Sequence, residues 1–254
     1  MSLILTAIPG IPHVQPGDDV GELILHAAAT ASLSFQPGDI IAIAQKIVSK
    51  AEGRQVNLGS VQPGDRAREV AEATGKDPRL VELVLQESTA ISRMKMGILI
   101  VRHRLGFTSA NAGIDRSNVP QPGADETVLL LPLDPDASAR QIRQTIQARV
   151  GVAVGVIITD SHGRPFRLGT VGVAIGVAGV PALWDRRGEP DLYGYELQHT
   201  DVGMADELAA AAGLLMGQAS EATPVVLLRG LSYPTTETST AKDLVRPQAL
   251  DLYQ

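Results

Sequence analysis

Val152-Ala153-Val154-Gly155-Val156-Ile157-Ile158, followed by Thr159-Asp160-Ser161-His162-Gly163-Arg164, is the stretch from which the fold is read. Seven uncharged residues, rich in Val and Ile and broken by one glycine, predict a strand buried on both faces. Strands of that kind lie in sheets covered by helices, so the chain is expected to be a mixed α/β protein. Gly163, just past the run, predicts a tight turn. Asp160 and Ser161 put a carboxylate and a hydroxyl at the mouth of the strand, where open α/β sheets place their ligand chemistry. The same two residue types also cap turns, so this stretch alone leaves both readings open.

On the amino-terminal side, the strand is reached from a helix that opens at Leu133-Asp134-Pro135-Asp136-Ala137-Ser138 and runs to Arg149. Beyond it, Arg164 and Arg167 flank Pro165-Phe166 and are expected near Asp160, balancing its charge or gripping an anion bidentately. Leu168 to Trp184 is an uncharged run of 17 residues with four glycines and a proline. Its length and β-branched content predict two buried strands rather than a membrane helix. Gly169, Gly172, Gly176 and Gly179 suit close backbone packing. Ala205 to Met216 is an Ala- and Leu-rich helix, expected to be buried on most sides and ended by Gly217. The loop Gln218 to Thr223 leads to Pro224 and a strand over Val225 to Leu228, and a polar, turn-like tail spans Thr235 to Thr240.

Earlier in the chain, a strand over Leu3 to Ile8 runs into Pro9-Gly10-Ile11-Pro12, a rigid connector or a wall for a flat ligand. Asp18 and Asp19 open a helix over Val20 to Ser32. Gln36-Pro37-Gly38 turns into a predicted strand, Ile40 to Ile47, which carries Gln45, Lys46, Ser49 and Lys50 to its far end. Lys46 reads as a solvated strand-end lysine, and Lys50, in a polar cluster before Gly53, as a phosphate contact. Helices over Pro63 to Thr74 and Pro78 to Ser88 meet at Gly75. Gly75-Lys76 is not a P-loop, because Val70 and Asp77 stand where that motif needs Gly and Ser or Thr. Strands over Gly97 to Arg102 and Thr127 to Leu131 bracket Asn111-Ala112-Gly113-Ile114-Asp115, with Asn118 three residues on. Small residues there let backbone approach a ligand. Asp115 is either an Asx-turn residue or, with Asp160, one of the two carboxylates a protein typically gives a nucleotide-bound magnesium ion.

Composition narrows the function classes. At 254 residues, with 44% hydrophobic and 20% charged, the chain can build a sizeable core. The formal net charge is −6 and the Lys and Arg residues are scattered singly, which argues against a nucleic-acid duplex as partner. There is no cysteine, so disulfides, thiolate metal sites and cysteine nucleophiles are excluded. No basic segment precedes an apolar run at the amino terminus, so a cytoplasmic protein without a membrane partner is expected.

With these pieces in order, the chain resembles the coenzyme F-420-0:L-glutamate ligase family, the gamma-glutamyl ligases of deazaflavin biosynthesis. The pieces that carry the resemblance are Pro9-Gly10-Ile11-Pro12, Ile47-Val48-Ser49-Lys50-Ala51-Glu52-Gly53-Arg54, Asn111-Ala112-Gly113-Ile114-Asp115, Asp134-Pro135-Asp136, Ile158-Thr159-Asp160, Asp191-Leu192-Tyr193-Gly194 and Leu214-Leu215-Met216-Gly217. The resemblance implies two intimately joined α/β domains, approximately 1–92 with 198–254 and 93–197, in an intertwined homodimer without the nitroreductase-like extension of some relatives. It implies a GTP-dependent ligase that adds L-glutamate to the deazaflavin coenzyme through an acyl phosphate, releasing GDP and phosphate. Mg2+ or Mn2+ is the implied metal, with K+ as a further candidate. Asp115, Asp160 and Ser161 would ligate the metal, and Asp115, Asp160 and Lys50 would carry the chemistry. Pro9, Gly10, Ile11, Pro12, Gln45, Lys50, Asn118, Met216, Gly217, Gln218, Ala219, Ser220, Glu221, Ala222 and Thr223 would hold GTP. Many relatives carry Thr at the position of Ser161, and archaeal ones small hydroxyl residues at Gln45-Lys46.

The chemistry of such a ligase suits the residues found. Metal held by Asp115 and Asp160 would offset the repulsion between a phosphoryl group and a carboxylate, and Lys50 would add a point charge. One of Arg164 or Arg167 would orient an incoming carboxylate. His162 reads as a solvated turn histidine, and no base for the glutamate amine is identified. Two other readings stand beside the ligase. One is a metal-dependent phosphohydrolase using Asp160 as nucleophile, although His162 stands where its dehalogenase-type members need a second Asp. The other is a nucleotide-binding module without catalysis, which would not require paired carboxylates.

Overall fold

The computed structural model describes residues 2–250. β1 (Ile4–Ala7) runs into the Pro9 to Pro12 segment, and Asp19 caps α1 (Val20–Thr30) by accepting the Glu22 N–H. β2 (Ile40–Ala44) passes directly into α2 (Gln45–Ala51) and on to β3 (Gln55–Asn57). α3 (Asp65–Thr74) stops on Gly75, whose left-handed φ of 65° suits a residue without Cβ. Asp77 caps α4 (Pro78–Gln86), with proline in its first turn where no N–H is missed. β4 (Ser88–Lys95), β5 (Ile98–His103) and β6 (Thr108–Ala110) make an antiparallel sheet, and β7 (Thr127–Leu129) pairs with β3. α5 (Pro135–Val150), capped by Asp134 and ended by Gly151, leads to β8 (Gly155–Arg164) and β9 (Arg167–Ala178). A small ribbon, β10 (Trp184–Asp185) with β11 (Asp201–Val202), precedes α6 (Met204–Met216) and β12 (Val225–Arg229).

The central sheet has the order β1-β12-β2-β8-β9, with β2 and β8 parallel and the other pairs antiparallel. Residues alternate between its two faces. Ile41, Ile43, Val156 and Ile158 pack with α1 and α5 in one cluster, while Ile40, Ala42, Ile157 and Val226 pack with α6 in a second. This is the mixed α/β architecture expected from the opening stretch, with Val156, Ile157 and Ile158 fully buried. A third cluster, from Leu58 to Leu130, joins α3, α4 and the two smaller sheets. The expected division near residue 92 falls within β4. Among the described residues, no helix is long and apolar enough to cross a membrane.

Several local expectations are corrected. Gly163 is not a turn: β8 runs on to Arg164, and the hairpin closes at Pro165 and Phe166, whose φ is 59°. Parallel pairing with β2 ends at Ala44 and Thr159, but β9 keeps the backbone of residues 160–164 satisfied as a two-stranded arm. The strand expected over Ile40 to Ile47 stops at Ala44, because burying Ile47 and Val48 from the same side requires a helical turn. Leu168 to Trp184 lies mostly in β9, whose first four residues are exposed, and reaches β10 only at Trp184, rather than forming two buried strands. Ser88 begins β4 instead of ending a helix. α6 buries one face only, Met204, Ala205, Leu208, Ala209 and Ala212, and leaves Leu214 84% exposed. The close packing expected of the glycines holds at two of them in particular. A Cβ on Gly172 would lie 2.5 Å from the Ala209 carbonyl oxygen of α6, and one on Gly176 would lie 2.5 Å from Pro135 of α5.

Candidate functional site

Strand register gathers distant segments at one edge of the central sheet. Ala44 pairs with Thr159 and Thr159 with Ala174, Val225 pairs with Ile43, and the Ile8 N–H donates to the Val225 carbonyl. The residues that follow or precede these positions therefore emerge together: Pro9 to Pro12, Gln45 at the start of α2, Asp160, and the loop ending at Thr223 and Pro224. The Ala44 N–H donates to the Pro224 carbonyl, which closes the edge between α2 and that loop.

A ring of side-chain contacts joins them. Gln45, 1% exposed, donates from Nε2 to Asp115 Oδ2 at 2.7 Å, while its Oε1 accepts the Ser49 hydroxyl at 2.8 Å. One turn along α2, Lys50 Nζ donates to the Asn118 carbonyl at 2.8 Å. Asn118 Nδ2 in turn donates to the Ala219 carbonyl at 2.9 Å, tying the Asp115 segment to the loop after α6. From that loop, Gln218 Oε1 accepts the Ser161 hydroxyl at 2.8 Å. On the opposite face of β8, Asp160 Oδ2 lies 3.0 Å from His162 Nε2.

The electrostatics follow from this crowding. Burial first, and then the like charge of Asp160, push the Asp115 carboxyl up to about 6 against the pull of Lys46. Lys46 Nζ sits 3.3 Å from Asp115 Oδ1 and donates to Ser117 Oγ at 2.8 Å. Burial, followed by the neighbouring Lys46, lowers the Lys50 ammonium below its ordinary range. Asp115 thus lies in the field of Asp160 while Lys46 pairs with it directly. Among the described residues no group of three or more Asp, Glu, His or Cys side chains is placed to hold a metal ion. Two carboxylates nevertheless suit a hard cation that takes its remaining oxygens from phosphates, while Ser161, on the other face of β8, donates to Gln218.

Gln45, Lys50, Asp115, Asn118, Ser161, Gln218 and Ala219 are thus brought into one ring, with Asp160 on the same strand and Pro9 to Pro12 at the same edge. Arg164 and Arg167 are not beside Asp160. They face each other at the tip of the β8–β9 arm, four residues on, or roughly 13 Å at the rise of an extended strand, and Arg164 donates to the Leu168 carbonyl. Lys46 is not simply solvated, and His162 is not in a turn. The His162 ring packs 4.8 Å from the Phe107 ring, a contact that no local pattern announces. The signal available for Lys46 and Gln45 was the 3.6-residue spacing of Ile47, Val48 and Ala51, which makes α2 rather than a strand and turns both side chains toward Asp115.

A family model described as F420-0:Gamma-glutamyl ligase matches residues 10–230. The coenzyme F420:L-glutamate ligase of Methanothermobacter thermautotrophicus is 47% identical over 255 residues, covering 100% of this chain and 100% of the relative. That of Methanopyrus kandleri is 48% identical, covering 100% of this chain and 98% of the relative. That of Methanocaldococcus jannaschii is 43% identical over 92% of each.

Proposed function

The chain belongs to the F420-0:gamma-glutamyl ligase family, and on that footing we propose that it forms an amide bond between L-glutamate and the carboxylate of the deazaflavin coenzyme, at the expense of GTP. A carboxylate at neutral pH resists attack by an amine, so the acceptor is first activated as an acyl phosphate by the γ-phosphoryl group, and GDP is released. The glutamate amine then displaces phosphate. Asp115 and Asp160, and Ser161 from the other face of β8, would hold Mg2+ or Mn2+, which would supply the positive charge that offsets the repulsion between phosphoryl group and carboxylate. Gln45 fixes the Asp115 carboxylate, held in turn by Ser49. Lys50 brings a cation to the phosphates from α2. Pro9 to Pro12, Asn118 and the loop Met216 to Thr223 enclose the nucleotide.

The observation that supports this reading is that Asp115, held by Gln45 and Lys46 just past the end of β2, and Asp160, one residue past the β2–β8 pairing, share one end of the sheet, with the charge of Asp160 acting on Asp115. Non-catalytic nucleotide binding does not require such a pair. The protein acts as a homodimer in this proposal, with the partner covering apolar side chains such as Leu168, 98% exposed, and Leu192, 97% exposed. The experiment is to incubate the protein with GTP, a divalent metal, L-glutamate and the deazaflavin acceptor, with and without K+. GDP release that requires both acceptor and glutamate, with a product heavier by one or more glutamates, is the expected result. GDP release without either would point to a phosphohydrolase, and binding without turnover to a nucleotide-binding module.

A further inference from the structure

A cavity of about 540 Å³ opens beside the ring described above, between the β5–β6 turn, the start of α5, β9 and the segment 240–246. None of the nucleotide-enclosing residues lines it: Pro9 to Pro12, α2, Asn118 and the loop after α6 contribute no wall. His162 does, and its Nε2 lies 3.0 Å from Asp160. The cavity therefore meets the reacting edge at Asp160 from the side opposite the nucleotide loop.

Its charge is unbalanced in a particular way. The acidic side chains in its wall are already engaged by backbone N–H groups. Asp136 accepts from Val177 and Ala241, Asp206 from Ala174, and Asp134 from Ala137. Arg104 pairs with Glu87, which it shares with Arg54. Arg140, Lys242 and Arg246 also line the cavity, and among the described residues their side chains make no hydrogen bond or ion pair. Among the described residues Lys242 and Arg246 face no carboxylate partner, and Arg140 acts only at a distance on Asp136, so the concave site calls for an anion. Phe107, sandwiched between the rings of His103 and His162, adds an aromatic wall. The volume is in the range that encloses a ligand larger than a single amino acid.

We propose that this cavity receives the anionic end of the acceptor, the part that bears the carboxylate to be amidated, with that carboxylate at the His162 end and Arg140 and Lys242 holding its remaining negative charge. The proposal rests on the ligase reading above. It assigns the acceptor to the α5 side of β8 and the nucleotide to the α2 and α6 loops, so the two substrates approach Asp160 from different elements.

The test is the double variant Arg140→Gln/Lys242→Gln, with Arg140→Lys/Lys242→Arg as the charge-retaining control. Steady-state KM values are measured for acceptor, glutamate and GTP, and acceptor binding is measured by equilibrium dialysis without GTP. The neutral double variant is expected to raise the acceptor KM and dissociation constant about tenfold or more, to leave the KM of GTP and glutamate unchanged, and to lose most of their dependence on ionic strength. The control is expected to stay near the original values. A rise in the glutamate KM alone would make the cavity an amino-acid site and overturn the proposal, as would three unchanged KM values. In either case ligation itself persists, which separates this failure from failure of the ligase reading, where no acceptor-dependent GDP release is seen at all.

Discussion

Glu87 is predicted to set the acid stability of the protein. It lies at the end of α4 with its side chain 11% exposed, accepts from Arg54 Nη2 at 2.8 Å and from Arg104 Nε at 3.0 Å, and has His103 Nε2 at 3.6 Å. Burial by itself would raise its proton affinity, but His103, the two guanidiniums and their charge outweigh that and hold the carboxyl down at about 2, against 4.5 for the free group. At 1.36 kcal/mol per tenfold in proton affinity, that difference corresponds to about 3 kcal/mol of folding stability at neutral pH. Because the folded value is the lower one, this contribution is complete above 4.5 and drains away as the pH falls from there toward 2. The same two arginines donate to the carbonyls of Leu131, Pro132 and Leu133, so the network anchors the segment that leads into α5. Glu87→Gln keeps the shape and removes the charge. Urea unfolding at a series of pH values should show the variant about 3 kcal/mol less stable at pH 7, with the gap closing below pH 4.5. Equal stability at pH 7, or a gap that stays constant down to pH 3, would refute the argument.

Asp115→Asn and Asp160→Asn should each abolish acceptor-dependent GDP release while the thermal midpoint stays within a few degrees, and normal turnover at saturating metal in either would remove the paired-carboxylate mechanism. Gln45→Ala strips Asp115 of its 2.7 Å donor and Ser49 of its acceptor. It should lower stability by roughly 1–3 kcal/mol and cut turnover at saturating substrates, and an unchanged kcat would show that Asp115 needs no fixing. Gly172→Ala would press a methyl group against the Ala209 carbonyl, at the β9 position that pairs with Ser161 of β8. A loss of about 1–3 kcal/mol and a raised KM for GTP are expected, since displacing α6 drags the Gln218 loop away from Ser161, while Gly163→Ala, with nothing in contact range, serves as the neutral control.

The sequence by itself determined a good deal here. The buried character of Val156 to Ile158, the Asp19 and Asp134 caps, and the stop at Gly75 all follow from local chemistry, in which a short stretch contains both the demand and its satisfaction. Asp115, Asp160, Lys50 and Asn118 could also be singled out as chemistry-bearing residues, because small residues or a strand end frame each of them. Only the tertiary structure decided which of them meet. Gln45 reaches Asp115, Lys50 reaches Asn118, and Gln218 reaches Ser161 through the register of β2, β8 and β12, and no window along the chain contains two of those strands. The extension of β8 past Thr159 was hidden for the same reason: Gly163 signals a turn only while its backbone lacks a partner, and β9 supplies one. The cation-lined cavity lies further still from local reading, since its walls come from six separate segments. A charge pattern along the sequence cannot tell that Asp136 and Asp206 are spent on backbone N–H groups while Arg140 and Lys242 are not.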